Sequence, residues 1–242
     1  MSANSQVARN QSTQTFGSVY ESYNQLPTIP KQHLVEWFTG NSLNTDRWGF
    51  GGSSAGTANS VAMADSVNGG VELTAGSSGW NKVWLTTGLS GTNAKDNRDA
   101  VALDYKRFNP SGCSLICVMK CTTGFSTSDE CGVQFGTEAS GYTNRNNSAS
   151  SYFSFSKSNY QLVNMISGTN TRTQSSIAVD SEFHAHKIDL TSTYCTLSLD
   201  GVSAVTNTTG LVTTPVDVNI CSSSANNLTC TFNVTYLEAW NH

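Results

Sequence analysis

From residue 33 onward, short apolar–polar segments alternate with turn-forming residues, and this pattern constrains the fold more than any other feature of the sequence. Segments such as 70–75 (GVELTA) and 194–200 (YCTLSLD) place an apolar residue at every second position. That period is typical of a β-strand with one buried face, and no convincing amphipathic helix is found. Asp200-Gly201 lies between two such segments and predicts a tight hairpin. The candidate strands are 33–38, 60–65, 70–75, 80–87, 99–106, 112–121, 130–136, 151–156, 159–166, 183–190, 194–200, 202–206, 216–222 and 228–240.

About fourteen strands in a chain of 242 residues predict one large all-β domain, built as a two-sheet antiparallel sandwich. The composition agrees, because 34 Ser, 29 Thr, 23 Asn and 20 Gly favour turns and exposed strand faces. Charged residues make up 12 % and the net charge is −4, so the chain lacks the basic surface that a nucleic-acid binder needs. No apolar run approaches the roughly 18 residues that span a bilayer. We therefore expect neither nucleic acid nor membrane as a partner.

The first 32 residues differ from the rest, because they are polar, almost uncharged and without either period. We predict an extended N-terminal arm over 1–32 and a β-sandwich over 33–242. Such a segment buries too little apolar surface to fold alone, so we expect a partner to order it; a floppy tail is the alternative. The start has no classical signal peptide, so synthesis in a cytoplasm is expected. The arm's candidate contact residues are Phe16, Tyr20 and Tyr23.

The seven cysteines contain no C-x-x-C pair, so a structural zinc site is not expected. On a strand, the spacing of Cys113, Cys117 and Cys121 puts all three on one face. We interpret the cysteines as small core residues of a protein made in a reducing compartment. One or two disulfides formed after exit from the cell remain the alternative. The others are Cys131, Cys195, Cys221 and Cys230.

Three segments together resemble the concanavalin-A-like jelly rolls, the superfold of lectins, glucanases and laminin-G domains. They are LVEWF at 34–38 with DRW at 46–48, the strand pair at 186–190 and 196–202, and the last strand at 234–240. The resemblance implies a jelly-roll sandwich in which the last strand returns beside the first. This superfold carries many functions, so it implies no single activity.

Catalytic and metal-binding patterns are sparse. The E-x-D-x-x-E motif of family-16-type glucanases on this fold is not found, and the adjacent pair Asp129-Glu130 would face opposite sides of a strand. His184 and His186 share a strand face and offer two metal ligands, but no third ligand is identifiable. The simpler interpretation is one partly buried and one rim histidine. We predict no catalytic residues, no metal and no cofactor.

Aromatic side chains are the candidate sugar contacts. Trp80 and Trp84 share strand parity, and Tyr142 lies in a polar segment at 140–150. Core packing is the alternative for the two tryptophans, because aromatic residues dominate protein cores. Three other tryptophans fall in or beside the segments that carry the resemblance and are predicted to be core: Trp37, Trp48 and Trp240.

These observations favour a non-enzymatic structural protein of a virion, such as a capsid decoration or cement subunit of a phage. It would assemble through its arm and sandwich surface with copies of itself, as a homo-oligomer such as a trimer, and with other particle subunits. The absence of a signal peptide and of a catalytic motif supports this hypothesis. The alternative is a glycan-binding, lectin-like module of a tail fibre or adhesin. A divergent polysaccharide-active enzyme is the third possibility.

Overall fold

The computed structural model describes residues 32–44, 47–52, 60–64, 69–76, 81–87, 108–123, 130–136, 148–154, 159–166, 169–224 and 230–242. These residues form fifteen strands and no helix. The strands are β1 His33–Glu36, β2 Gly49–Gly52, β3 Ser60–Met63, β4 Val71–Ala75, β5 Asn81–Thr86, β6 Gly112–Thr123, β7 Glu130–Gly136, β8 Ser148–Ser154, β9 Asn159–Ile166, β10 Thr169–Ala178, β11 His184–Thr191, β12 Cys195–Leu199, β13 Val202–Asn207, β14 Asp217–Ser224 and β15 Cys230–Asn241. The described part of the chain contains no helix of the length and apolarity needed to cross a membrane.

The strands form two antiparallel sheets. The eight-stranded sheet runs β13-β12-β11-β6-β15-β4-β3, with β1 also paired to β15, and the seven-stranded sheet runs β10-β9-β8-β7-β14-β5-β2. Strand β1 pairs with β15 from His33↔Trp240 to Glu36↔Leu237. The all-β sandwich is therefore confirmed, including the return of the last strand beside the first.

The core lies between the two sheets and follows the predicted alternation. Leu115, Ile188 and Leu237 from the first sheet meet Leu85, Phe135 and Ile220 from the second, and all of them are fully buried. Each such side chain contributes about 1.5–3 kcal/mol through burial. Cys113 and Cys117 are buried free thiols in this core, as the spacing predicted.

The hairpin predicted at Asp200-Gly201 is confirmed. It joins β12 to β13, and both turn residues have positive φ, 49° for Asp200 and 81° for Gly201. A two-residue turn of this kind matches the twist of the strands, and the sequence Asp-Gly favours it.

The sequence pattern missed two strands, and one candidate strand lies outside the described residues. β2 is GFGG and β10 is TNTRTQSSIA, and neither shows regular apolar alternation. Both are the outermost strands of their sheet, where little apolar surface is buried. The candidate strand 99–106 and nearly all of the predicted arm lie outside the described residues.

Of the three tryptophans predicted to be core, only Trp48 is buried. Trp37 is 61 % exposed, whereas Phe38 is 2 % exposed. The reason is strand parity, because Leu34 and Phe38 point inward from even positions and Trp37 falls on the opposite face. Trp240 lies half-buried on the outer side of β15.

Candidate functional site

The outer face of the seven-stranded sheet carries polar side chains that are nevertheless buried. On β5, Val83 and Leu85 enter the core, so Trp84 and Thr86 point the other way. The same alternation sends eight side chains to this outer face, and each is at most 4 % exposed: Trp84, Thr86, Gln134, Gln161, Val163, Asp217, Asn219 and Cys221. A covered face of this composition differs from an ordinary solvated strand face.

The strand register arranges the outer face in transverse rows. One row runs from Trp84 through Cys221 and Gly132. It continues across β8 to Gln161 on β9. Four steps between neighbouring strands separate Trp84 from Gln161, which corresponds to about 19 Å. The row is therefore long enough to contact several linked units of an extended ligand.

The neighbouring row has less bulk at its centre. Asn219 of β14 is opposite Thr86 on one side and Gln134 on the other. Gly132 and Gly136 flank Gln134 along β7, so no side chain fills the positions beside it. Glycine within a strand lets another group approach the backbone closely. The two glycines thus leave the backbone of β7 without a side chain on this face on either side of Gln134.

Several polar atoms on this face have no hydrogen-bond partner among the described residues. They are the indole Nε1 of Trp84, both side-chain polar atoms of Gln161 and the Oδ1 of Asn219. A buried polar group without a partner costs roughly 1–3 kcal/mol. Three such residues on one face point to a ligand that supplies both donors and acceptors.

Asp217 is the carboxylate that the described residues place on this face. It is 2 % exposed and lies opposite Gly136 at one end of β7. Glu130 starts β7 opposite Ser223, six residues further along the strand pair. This separation of about 20 Å is much larger than the 5–9.5 Å between the two carboxyl groups of glycosidases, so Asp217 and Glu130 are not such a pair.

The predicted glycan contacts are only partly within the described residues. Trp84 lies on the outer face, outside the main core, and forms a small buried cluster with Val163 and Cys221. Trp80, Tyr142 and the arm residues Phe16, Tyr20 and Tyr23 lie outside the described residues, as does Asp129 of the acidic pair. Sequence reasoning missed Gln161 and Asn219, although their parity between core residues in QLVN and DVNI was a usable signal.

The two histidines of β11 occupy different environments, although the simpler interpretation expected the inner one to be only partly buried. His186 is fully buried, and burial, with the nearby charge of His184, lowers its pKa to about 3. The edge of its ring contacts Tyr160, with ring centroids 5.1 Å apart. His184 lies nearer the rim and bonds to Asp200 and Asp180. No group of three or more metal-ligating side chains occurs in the described part of the chain.

Comparison with known proteins shows the fold but no sequence family. No family model matches the chain, and no curated protein matches it. Among solved structures, the chain is similar to the apo Crh5 transglycosylase, with 17 % identity, 89 % of each chain covered and a TM-score of 0.57. It is also similar to a Bacillus licheniformis β-glucanase, with 10 % identity, 87 % of this chain and 98 % of that chain covered and a TM-score of 0.55.

A third similar structure is a carbohydrate recognition domain, that of Emp47p. It shows 10 % identity over 86 % of this chain and 94 % of that chain, with a TM-score of 0.55. These likenesses show a concanavalin-A-like jelly roll. They contradict the predictions of a virion structural protein and of a protein without enzymatic activity, because the similar structures are carbohydrate-acting or carbohydrate-binding proteins. The inference from a missing catalytic motif failed because a superfold can carry an activity on residues other than those of one motif.

Proposed function

We propose that this chain is a carbohydrate-active protein that binds a glycan chain across the outer face of its seven-stranded sheet. The observation that carries the proposal is the set of buried, unpartnered polar atoms of Trp84, Gln161 and Asn219 on that face. A glycan fits them because each sugar hydroxyl both donates and accepts a hydrogen bond. The row length of about 19 Å between Trp84 and Gln161 suits an oligosaccharide of several rings.

Each side chain has a distinct part in this binding. The Trp84 indole presents an apolar ring with one N–H donor, a combination that suits a pyranose ring. Gln161 offers a donor and an acceptor, and Asn219 offers an acceptor. Gly132 and Gly136 leave space beside the central Gln134 for sugar rings. The fold likeness to a glucanase and to a carbohydrate recognition domain supports carbohydrate as the class of ligand.

Access to the face involves a rearrangement. Trp84 is 4 % exposed and Gln161 1 % exposed, so a glycan reaches them only after a rearrangement that uncovers these side chains. Binding that requires such a change is slower than the roughly 10⁵–10⁷ M⁻¹s⁻¹ of ordinary docking. Stopped-flow mixing with a bound glycan should show a first-order phase that saturates with ligand concentration.

The test is calorimetric titration with a panel of soluble glycans: mixed-linkage β-glucan, laminarin, chitin oligosaccharides and β-galactan. Asn219→Leu replaces the amide with an apolar side chain, and Trp84→Phe keeps an aromatic ring but removes the indole N–H. Each should weaken binding about five- to tenfold, because the sugar loses one hydrogen bond. Thr206→Val on the other sheet is the control and should leave affinity unchanged. Unaltered affinity in both Asn219→Leu and Trp84→Phe would show that the glycan binds elsewhere.

Cleavage or transfer of the glycan is the second candidate function. It is favoured by the transglycosylase and glucanase folds and by the buried carboxylate of Asp217 at one end of the face. If Asp217 acts as a general acid or base, Asp217→Asn should lower the release of reducing ends by roughly a hundredfold or more while binding persists. Equal turnover in Asp217→Asn and wild type would remove Asp217 from the reaction.

A further inference from the structure

The outer face of the eight-stranded sheet, on the opposite side of the sandwich, carries an exposed aromatic pair. Trp37 is 61 % exposed, and its ring lies against Tyr236 with centroids 4.4 Å apart and planes tilted by 50°. We call these two rings the Trp37 platform. The two rings in contact form a contiguous apolar patch, and patches of this kind mark interaction sites more often than single exposed residues do.

The backbone fixes which ring faces solvent. Phe38 has a φ of 45°, in the left-handed region that bulky residues rarely adopt. The Phe38 backbone is held there by Gly70, whose N–H donates to the Phe38 carbonyl at 2.8 Å. Phe38 fills the core against Trp48 while its neighbour Trp37 stays outside. Strained backbone of this kind is often found at functional positions.

Polar groups surround the Trp37 platform at hydrogen-bond reach. The Tyr236 hydroxyl donates to Glu238 at 2.6 Å, and His33 Nε2 lies 2.8 Å from the other oxygen of that carboxylate. Burial and the adjacent Glu238 raise the pKa of Tyr236, so its hydroxyl stays protonated. A rigid ring pair flanked by a carboxylate and an imidazole matches a sugar ring, which is apolar on its faces and polar at its edge.

A cleft of about 350 Å³ lies on the same face, three residues along β15 from Tyr236. Ala62, Glu72, Asn233 and Lys120 form one transverse row across four neighbouring strands. Phe183 closes the row, with the Lys120 ammonium 4.5 Å from its ring centroid. The Asn233 amide donates to Glu72 at 3.4 Å. The row thus offers a carboxylate, an amide, an ammonium and an aromatic ring without net charge.

We propose that the Trp37 platform and this cleft form a second carbohydrate-binding surface, taking another stretch of the same class of glycan as the seven-stranded sheet. The inference rests on the proposed function for the identity of the ligand. Balanced charge in the cleft fits a neutral oligosaccharide better than an anionic or cationic partner. Asn233 and Tyr236 are about 10 Å apart along β15, so one oligosaccharide can contact both parts. Two sites on opposite faces let one protein engage two glycan chains or two segments of one chain.

The experiment is calorimetric titration of the full chain with tetrasaccharides from mixed-linkage β-glucan, laminarin, chitin and β-galactan. Wild type should bind two tetrasaccharides per chain. Trp37→Ala should weaken one site about tenfold or more and leave the other unchanged, because the platform loses its main ring. Val202→Ala is the matched control, since Val202 is an exposed apolar residue of similar exposure, 64 %, on β13.

A local probe checks the cleft separately. Met63 lines the cleft, so its ε-methyl carbon, labelled with ¹³C and assigned through Met63→Leu, should shift on titration with the tetrasaccharide. Phe183→Ala should abolish that shift, and Trp84→Phe should not. A Met63 signal that stays constant while the protein is saturated with tetrasaccharide would overturn the inference for the cleft.

The outcomes separate this inference from the proposed function. One site per chain that depends on Trp84 and is indifferent to Trp37→Ala overturns the second surface and keeps the first. One site that depends on Trp37 alone overturns the first and keeps the second. No binding to any tetrasaccharide overturns both. A change in oligomeric state with Trp37→Ala, without a change in glycan binding, identifies the platform as a contact between copies.

Discussion

Gln161 is the residue that most clearly distinguishes the candidate site from ordinary packing. Its side chain is 1 % exposed, yet neither its amide nitrogen nor its amide oxygen has a partner among the described residues. A leucine of similar size would fill the same space without that cost. An unpartnered amide at this position fits the proposed ligand-binding role better than a stabilising one.

The substitution Gln161→Leu is expected to stabilise the protein and weaken its binding of glycan. Removing two unpartnered polar atoms should raise the free energy of unfolding by about 1–2 kcal/mol, while glycan affinity falls about tenfold or more. Urea denaturation and calorimetric titration measure the two effects. Gln174→Leu is the control, because Gln174 is opposite Gln161 on β10 but exposed, so its effect on stability should stay within about 0.5 kcal/mol. A destabilised Gln161→Leu variant would mean that the amide is satisfied within the fold.

At this scale the sequence predicted some positions and not others. Alternation placed Cys113 and Cys117 in the core correctly. It was not applied to Trp37, whose odd position relative to Leu34 indicates the outer face. Gln161 and Asn219 look like solvent-facing residues of a half-buried strand, and their burial depends on what covers the sheet, which a single sequence does not reveal.

At the scale of elements, the hairpin of β12 and β13 is tied back to β11 by His184. Its Nδ1 lies 2.5 Å from Asp200 at the hairpin tip, and its Nε2 lies 2.9 Å from Asp180. The Ala185 backbone N–H also donates to Asp200, at 2.8 Å. One imidazole thus joins the turn to the segment that precedes β11.

The strength of the contacts of His184 with Asp200 and Asp180 is expected to depend on pH. Partial burial opposes the charged form of His184, but its bonds to Asp200 and Asp180 raise its pKa above 6.5. Burial opposes ionisation of Asp200, but His184 and the Ala185 amide hold its pKa below 3.8. The Glu182 backbone amide and His184 likewise hold the pKa of Asp180 below 3.8.

The contribution of His184 to the stability of these contacts is complete below pH 6.5 and is lost as pH rises through its raised pKa. The aspartate contribution is complete above pH 3.8 and is lost as pH falls through the lowered pKa. Hydrogen-exchange protection of the Ala185 amide should therefore be greatest between about pH 4 and 6.5. His184→Gln should remove the decline above pH 6.5. An unchanged protection profile in His184→Gln would show that His184 does not hold the hairpin.

The elements themselves differ in how well the sequence predicts them. Asp200-Gly201 specifies its hairpin locally, because both positions need positive φ and these residue types tolerate it. β10 forms for a different reason: it pairs with β9 along most of its length although its sequence has few apolar residues. Its existence depends on a neighbouring strand rather than on its own pattern, so periodicity did not detect it.

At the scale of the whole molecule, β15 is the strand of the eight-stranded sheet that pairs with three others. It pairs with β6 along its length, with β4 at its first half and with β1 at its second half. The two-sheet architecture and the return of the last strand beside the first followed from the sequence resemblance. The proposed function did not, because the residues assigned to it lie on a face whose strands are ordinary in pattern.

The predicted boundary near residue 32 gives a test of the domain. The Asn241 backbone N–H donates to the Gln32 carbonyl at 3.0 Å, so a chain starting at Gln32 keeps every backbone bond of the β1–β15 pair. Such a 32–242 chain should melt cooperatively, within about 2 °C of the full chain, because a terminal arm of the predicted kind contributes little to the stability of a folded domain.

A chain starting after β1 should behave differently. It loses Leu34, which is 2 % exposed, and the Glu36 carboxylate that accepts from Trp48 Nε1 at 3.1 Å. The lost burial costs about 2–5 kcal/mol, and the unpartnered indole about 1–3 kcal/mol more. At about 2–4 °C per kcal/mol, the melting temperature of the 37–242 chain should fall by at least about 6 °C. Differential scanning calorimetry on both chains measures the contrast. If the 32–242 chain loses as much as the 37–242 chain, residues 1–31 belong to the folding unit and the boundary between an arm and a sandwich is wrong.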